Sequence, residues 1–169
     1  MQPHTLSALT LGSAMFFGVA AMAGDLPKEG TFSGAYTGWG TAKATQIGKE
    51  RLLVSTDQSG VTLTNGFTDH VVWHCWGTND AVKGMAQWSG YCTGTDPAGD
   101  QLVYNCVGEK HALEQKTSGG SCSFTTGTGK YVGVSGGLTY MTNDGELAPM
   151  GEGGTFAFSN PFKGNYKLP

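Results

Sequence analysis

The chain has 169 residues, a formal net charge of −3 at neutral pH and a charged fraction of only 14%. Its lysines and arginines form no cluster, and both nucleic acids and anionic lipid surfaces bind through clustered Lys and Arg. The composition therefore predicts no nucleic-acid partner. One domain is the usual organisation for a chain of this length.

The first 23 residues have the composition of a secretory signal peptide. They contain no Asp, Glu, Lys or Arg, and the apolar stretch 9–21 is shorter than the roughly 20 residues that span a bilayer. Ala21-Met22-Ala23 matches the A-x-A pattern at which signal peptidase cleaves. We predict a signal peptide at 1–23 and a single domain at 24–169, periplasmic or secreted, with no stable membrane insertion after cleavage. A membrane anchor that is never cut is the alternative.

After residue 24, short alternating apolar and polar segments are separated by Gly, Asn and Asp at a spacing typical of β-sandwiches and barrels. The predicted strands cover residues 31–45, 51–57, 61–63, 69–77, 84–95, 101–108, 121–125, 130–134, 137–142, 153–159 and 163–169. Glycines within these segments favour the bends of a barrel wall. Closure removes exposed strand edges, so we predict an all-β fold: a closed or nearly closed antiparallel barrel of about eight strands.

All four cysteines lie after the predicted cleavage site, which favours disulfides in an exported chain. Cys75 and Cys92 fall on consecutive predicted strands, as do Cys106 and Cys122. We therefore predict a disulfide within each of these two hairpins. Each loop closure would stabilise the fold by about 3 kcal/mol.

A metal site built on the Cys and His residues is the alternative use of these side chains. Zinc sites generally contain a short unit that presents two ligands together. His70 and His74 share one strand face about 13 Å apart, at roughly 3.3 Å per residue, which is too far for both to bind one ion. We predict no metal and no cofactor.

The strand 69–77 has two faces, and the sequence leaves open which of them points inward. One face carries His70, His74 and Trp76, and the other carries Val71, Trp73 and Cys75. If the histidines face inward, His70 and His74 together with Tyr91 are candidate acid and base groups of a catalytic site. The second face is the more uniformly apolar, and if it faces inward the histidines are surface residues.

The predicted disulfides connect further aromatic side chains to the second face. Cys92 shares a strand face with Trp88, and Cys106 shares one with Tyr104. Trp73, Trp88 and Tyr104 are therefore the candidate ligand-binding residues. These rings fill the interior instead if the barrel leaves no free volume.

Three segments resemble a group of small exported bacterial proteins, which in turn resemble the calycin-like barrels of allene oxide cyclases and plant dirigent proteins. The segments are His74-Cys75-Trp76-Gly77, Gly90-Tyr91-Cys92 followed by Thr95 to Asp100, and Gly127-Thr128-Gly129-Lys130-Tyr131-x-Gly133-x-Ser135-Gly136. The resemblance covers about residues 30–160 and implies an eight-stranded antiparallel barrel with a hydrophobic interior. Such barrels commonly oligomerise, so it also implies a homo-oligomer as one option. No catalytic motif of these families matches position by position.

Three functions are compatible with the sequence. The first is a barrel that binds a small apolar or aromatic molecule in its interior. The second is a cofactor-free isomerase, cyclase or lyase acting on a lipid or phenolic substrate, with His70, His74 or Tyr91 as acid and base. The third is a structural or interaction module with a filled barrel.

Overall fold

The computed structural model describes residues 26–115, 117–143 and 154–169, so the predicted signal peptide lies outside the described residues. The strands are β1 (Glu29–Gln46), β2 (Arg51–Thr64), β3 (Val72–Val82), β4 (Met85–Thr95), β5 (Gln101–Gly108), β6 (His111–Ala112), β7 (Thr117–Gly127), β8 (Ser135–Asn143) and β9 (Gly154–Lys167). A 3-10 turn covers Gly129–Tyr131. No helix within these ranges is long and apolar enough to cross a membrane.

Eight of the strands close into an antiparallel up-and-down barrel. Neighbours along the chain pair in the order β1, β2, β3, β4, β5, β7, β8 and β9, and β9 pairs back with β1. The two-residue strand β6 lies outside this ring and pairs with the start of β4. The predicted fold class, an antiparallel barrel of about eight strands, is confirmed.

Several predicted strand boundaries are wrong. The segments 51–57 and 61–63 form one strand, β2, and 153–159 and 163–169 likewise join in β9. The strand predicted at 69–77 begins only at Val72, because Thr68 and His70 adopt positive φ angles of 66° and 55° in the preceding turn. Residues 130–134, predicted as a strand, instead contain the 3-10 turn and lead into β8.

Successive strands run in opposite directions, so the connections between them lie alternately at the two ends of the barrel. At the closed end lie the connections 65–71, 96–100 and 128–134, and the chain enters and leaves the barrel there. At the open end lie the connections 47–50 and 83–84 and the described part, 109–115, of the connection between β5 and β7. Residues 144–153, which connect β8 to β9, are outside the described ranges.

Aromatic rings fill the interior at the closed end. Phe67, from the connection between β2 and β3, stacks on Tyr166 with ring centroids 3.9 Å apart and also contacts Phe32 at 5.1 Å. Tyr131 meets Phe67 edge-on at 5.5 Å. All four side chains are buried. Burial of rings of this size contributes a large share of a small domain's hydrophobic stabilisation.

Two of the segments that carry the family resemblance contact each other at this end. Asp96 Oδ1 accepts hydrogen bonds from the backbone N–H groups of Ala98 at 2.8 Å and Asp100 at 3.0 Å. Lys130 Nζ lies 2.5 Å from Asp96 Oδ2, and the backbone N–H of Lys130 donates to Asp100 Oδ2 at 3.1 Å. Gly129 has a φ of 50°, and a Cβ there would lie 1.8 Å from Asp100 Oδ1, so this contact requires glycine. Both segments therefore hold the closed end together.

Candidate functional site

The barrel contains a cavity of about 770 Å³ that runs from the aromatic core toward the open end. Inward-facing residues of all eight barrel strands line it, and its deep part reaches Thr62, Trp73 and Phe124. Leu113, Glu114 and Gln115 line its other end and are exposed, so the cavity reaches solvent there. Its volume lies within the range of about 300–1,000 Å³ that is usual for small-molecule sites.

Trp73 and Tyr104 form part of the aromatic wall, as predicted for the second face of the strand 69–77. Their ring centroids are 4.5 Å apart, and Trp73 Nε1 donates to Thr62 Oγ1 at 3.2 Å. Trp73 is fully buried in the wall, because only 1% of its surface is exposed. These contacts fix the position of both rings. That they bind a ligand stays a prediction.

Trp88 lies flat against the wall because two glycines leave room for its indole ring. A Cβ on Gly77 would lie 2.6 Å from the ring, and one on Gly90 would lie 2.7 Å from it. Trp88 Nε1 donates to Thr56 Oγ1 on β2 at 3.0 Å. The three predicted ligand-binding residues, Trp73, Trp88 and Tyr104, thus all line one cavity.

Both predicted disulfides form, and both line the cavity. Cys75–Cys92 joins β3 to β4, and Cys106–Cys122 joins β5 to β7, with the members of each pair directly opposite in register. The four sulfur atoms therefore belong to the inner wall, and the side chains are buried. Two disulfides are typical of an oxidising, extracytoplasmic compartment.

Two phenol groups of the cavity wall, those of Tyr36 and Tyr104, have raised pKa values. Burial raises the pKa of Tyr36, and the carboxylate of Asp57 raises it further. Burial likewise raises the pKa of Tyr104, and the neighbouring phenols of Tyr36 and Tyr140 add to that effect. Because a phenolate is disfavoured in such surroundings, these hydroxyls act as hydrogen-bonding groups and not as charges.

Two polar atoms on lining residues are buried without a hydrogen-bond partner among the described residues. They are the hydroxyl oxygen of Tyr36 and Oδ1 of Asn79. Tyr36 packs against Phe158 with ring centroids 4.7 Å apart. Asn79 lies on β3, three residues before that strand ends at the open end. Buried polar groups without partners are uncommon in folded proteins, and they are candidate contacts for a bound molecule.

His70, His74 and Tyr91 do not line the cavity, so the inward orientation that the predicted acid–base site required is wrong. His74 lies on the outer face of β3, half exposed, with Nε2 2.8 Å from Asp57 Oδ1. His70 lies in the turn before β3, 67% exposed, beside Asp69. His74 points outward because its neighbours on β3, Trp73 and Cys75, point inward, whereas His70 is not part of the strand. Tyr91 points outward from β4 for the same reason and is 53% exposed.

The sequence interpretation missed several cavity residues. Tyr36 and Phe158 lie within predicted strands, so the alternation of β1 and β9 was a signal that could have identified them. Asn79 was missed because the predicted strand ended at residue 77. The polar connection at the open end has no recognisable apolar and polar alternation, so its lining residues His111, Leu113 and Glu114 were missed as well. In the described ranges, no group of three or more His, Cys, Asp or Glu side chains is arranged to hold a metal ion.

A scan against protein-family models, a search of curated proteins and a search of solved structures each find no significant match for this chain. The geometry of the cavity therefore carries the functional argument.

Proposed function

We propose that this barrel binds a small apolar or aromatic molecule in the cavity at its open end. The observation that carries the proposal is the cavity itself, which is large enough for such a molecule and is lined mainly by aromatic and aliphatic side chains. A few hydroxyl and amide groups in the wall would orient the molecule. The remainder of the interior, at the closed end, is a packed aromatic core.

Export of the protein belongs to the same proposal. The segment 1–23 supports it by composition, and the two disulfides support an oxidising compartment. A kinship with the allene oxide cyclase and dirigent-like barrels is likewise proposed, on the resemblance and on the shared strand number.

We propose no catalytic activity, because the predicted acid and base residues lie outside the barrel. A filled structural module is disfavoured by the cavity.

Tryptophan fluorescence tests the proposal, because the four tryptophans divide into two pairs. Trp73 and Trp88 line the cavity, whereas Trp39 and Trp76 are 67% and 43% exposed on the outer surface. The double variant Trp39→Phe/Trp76→Phe retains only the cavity pair. We expect its emission to change saturably with at least one member of a panel of phenolics, long-chain alcohols and fatty acids. An unchanged emission across the whole panel would show the proposal to be wrong.

A matched pair of substitutions shows whether the signal comes from the cavity. Ala44 lines the cavity, and Ala157 lies exposed on the outer face of β9, opposite Trp39. Ala44→Phe is expected to reduce affinity at least tenfold by occupying cavity volume. Ala157→Phe adds the same ring outside and is expected to leave affinity unchanged. Equal effects of the two variants would place the binding site elsewhere.

A further inference from the structure

If the cavity binds a ligand, as proposed above, the chemistry of its wall restricts the charge of that ligand. Apart from His111 and Glu114, the polar side chains that line the cavity carry hydroxyl or amide groups, and they include Tyr36, Thr56, Gln58, Asn79 and Asn160. None of the described lining residues is a lysine or an arginine. The lining residues with an imidazole or carboxyl side chain are His111 and Glu114, and both belong to the open end.

The fixed charge that acts on the deep wall from outside is negative. Asp57 lies on the outer face of β2, close enough to Tyr36 to raise the pKa of that phenol. At the open end Glu114 lines the cavity, and Lys49, Lys83 and Lys110 lie in the connections there, so the charges at that end are mixed. An anion inside the cavity would therefore meet the negative charge of Asp57 behind the deep wall and no lysine or arginine among the described lining residues.

We propose that the ligand of this cavity is uncharged at neutral pH and carries a hydroxyl, carbonyl or amide group, and that the cavity excludes carboxylates. A buried carboxylate without a cationic partner is far more costly than a buried neutral group that finds hydrogen bonds. The hydroxyl of Tyr36, in the deep part of the cavity, or Oδ1 of Asn79, nearer the open end, is suited to pair with such a neutral group. A neutral ligand would therefore satisfy polar atoms that the fold leaves without partners, and a carboxylate would lose its hydration without compensation.

Two matched probe sets test the charge selection in the Trp39→Phe/Trp76→Phe background. The first set is 2-naphthylmethanol, 2-naphthoate and 2-naphthylmethylammonium, and the second is 1-decanol and decanoate. In whichever set binds, we expect the neutral member to bind at least tenfold more tightly than the carboxylate at pH 7. Equal affinities would overturn the charge selection and leave the proposed function intact. If neither these probes nor the panel changes the emission, the proposed function fails and the charge selection fails with it.

A lysine placed inside the cavity should reverse the selection. Gln58 lines the cavity on β2, and Ser55 lies exposed on the same strand. Gln58→Lys is expected to raise the affinity for 2-naphthoate at least tenfold. Ser55→Lys makes the same change in net charge outside the barrel and is expected to have no effect. An equal gain in both variants would overturn the proposal, because a general electrostatic attraction would then explain it. If circular dichroism shows that Gln58→Lys does not fold, the two probe sets with the native cavity still test the charge selection.

Discussion

The two ends of the barrel are built from the same strands, yet they differ in the size of the side chains that point inward. Along β1 the inward positions pass from Phe32 and Tyr36 near the closed end to Ala42 and Ala44 near the open end. On β3 and β4, Ala81 and Ala86 occupy buried positions near the open end. Aromatic rings fill the closed half of the interior, whereas the alanines among the larger side chains of the open half leave volume there.

This contrast separates the part of the barrel that stabilises the fold from the part available for binding. Truncating a side chain in a densely packed interior lowers stability, because the surrounding structure relaxes only partly into the space that is left. When a side chain that already borders free volume is truncated, the protein loses less stability. The closed end should therefore be sensitive to substitution, and the open end should tolerate it.

The largest effect is expected from truncating the ring at the centre of the closed end. Phe67 contacts Phe32, Phe124, Tyr131 and Tyr166 and is 3% exposed. Phe67→Ala should lower the free energy of unfolding by about 4 kcal/mol, measured by urea denaturation.

Phe156→Ala at the open end is the matched control for Phe67→Ala. Phe156 borders the cavity and is only partly buried, so its truncation should lower the free energy of unfolding by about 1 kcal/mol. Equal losses in the two variants would contradict the division of the barrel into a packed and an open half.

A smaller effect is expected from the ion pair that joins the two turns of the closed end. Burial alone would raise the pKa of the Asp96 carboxyl, but the hydrogen bond from Lys130 and those from backbone N–H groups outweigh it and lower the pKa. The side chain is 1% exposed. Asp96→Asn should therefore cost about 2 kcal/mol of unfolding free energy at pH 6.

The pH dependence follows from the direction of this shift. A lowered pKa in the folded state means that the unfolded chain binds the proton first as pH falls. The contribution of Asp96 is thus present above about pH 4 and is lost below it. The difference between the native chain and Asp96→Asn should shrink between pH 6 and pH 3. Lys130→Met should remove part of the same contribution at pH 6, and full additivity of the two substitutions would show that the pair does not interact.

Much of the barrel could be predicted from the sequence, because strand alternation and cysteine spacing are local signals. Gln101–Gly108 was predicted with its observed bounds, and the cysteines of both hairpins stand opposite each other, as expected. Gly60 misled the prediction, since it interrupts the apolar alternation of β2 but pairs with Gly38 within a continuous ladder. The sequence predicts a turn that enters a strand at Tyr131, whereas the ring of Tyr131 reaches the core from a 3-10 turn.

The candidate site was less predictable, because it depends on which face of each strand points inward. The faces of residues 69–77 carry Trp73 on one side and Trp76 on the other, and both contain aromatic rings. Only closure of the sheet decides between them. The free volume depends on alanines of different strands, such as Ala42 on β1, Ala81 on β3 and Ala86 on β4, facing the interior near the same end. A linear sequence does not show which residues of different strands lie near the same end.

The smallest change in stability, and one that is a gain, is expected from Tyr36→Phe between the two ends of the barrel. The hydroxyl of Tyr36 is buried without a partner among the described residues, whereas its ring packs against Phe158. Tyr36→Phe keeps the ring and removes the unpaired hydroxyl, so it should raise the free energy of unfolding by about 1 kcal/mol. Tyr91→Phe makes the same change on the exposed outer wall and should alter stability by less than about 0.5 kcal/mol. A loss of stability in Tyr36→Phe would contradict this expectation and would show that the hydroxyl supports the fold. A gain would show that this position retains a polar group at the expense of stability, which is the pattern expected where a residue serves binding.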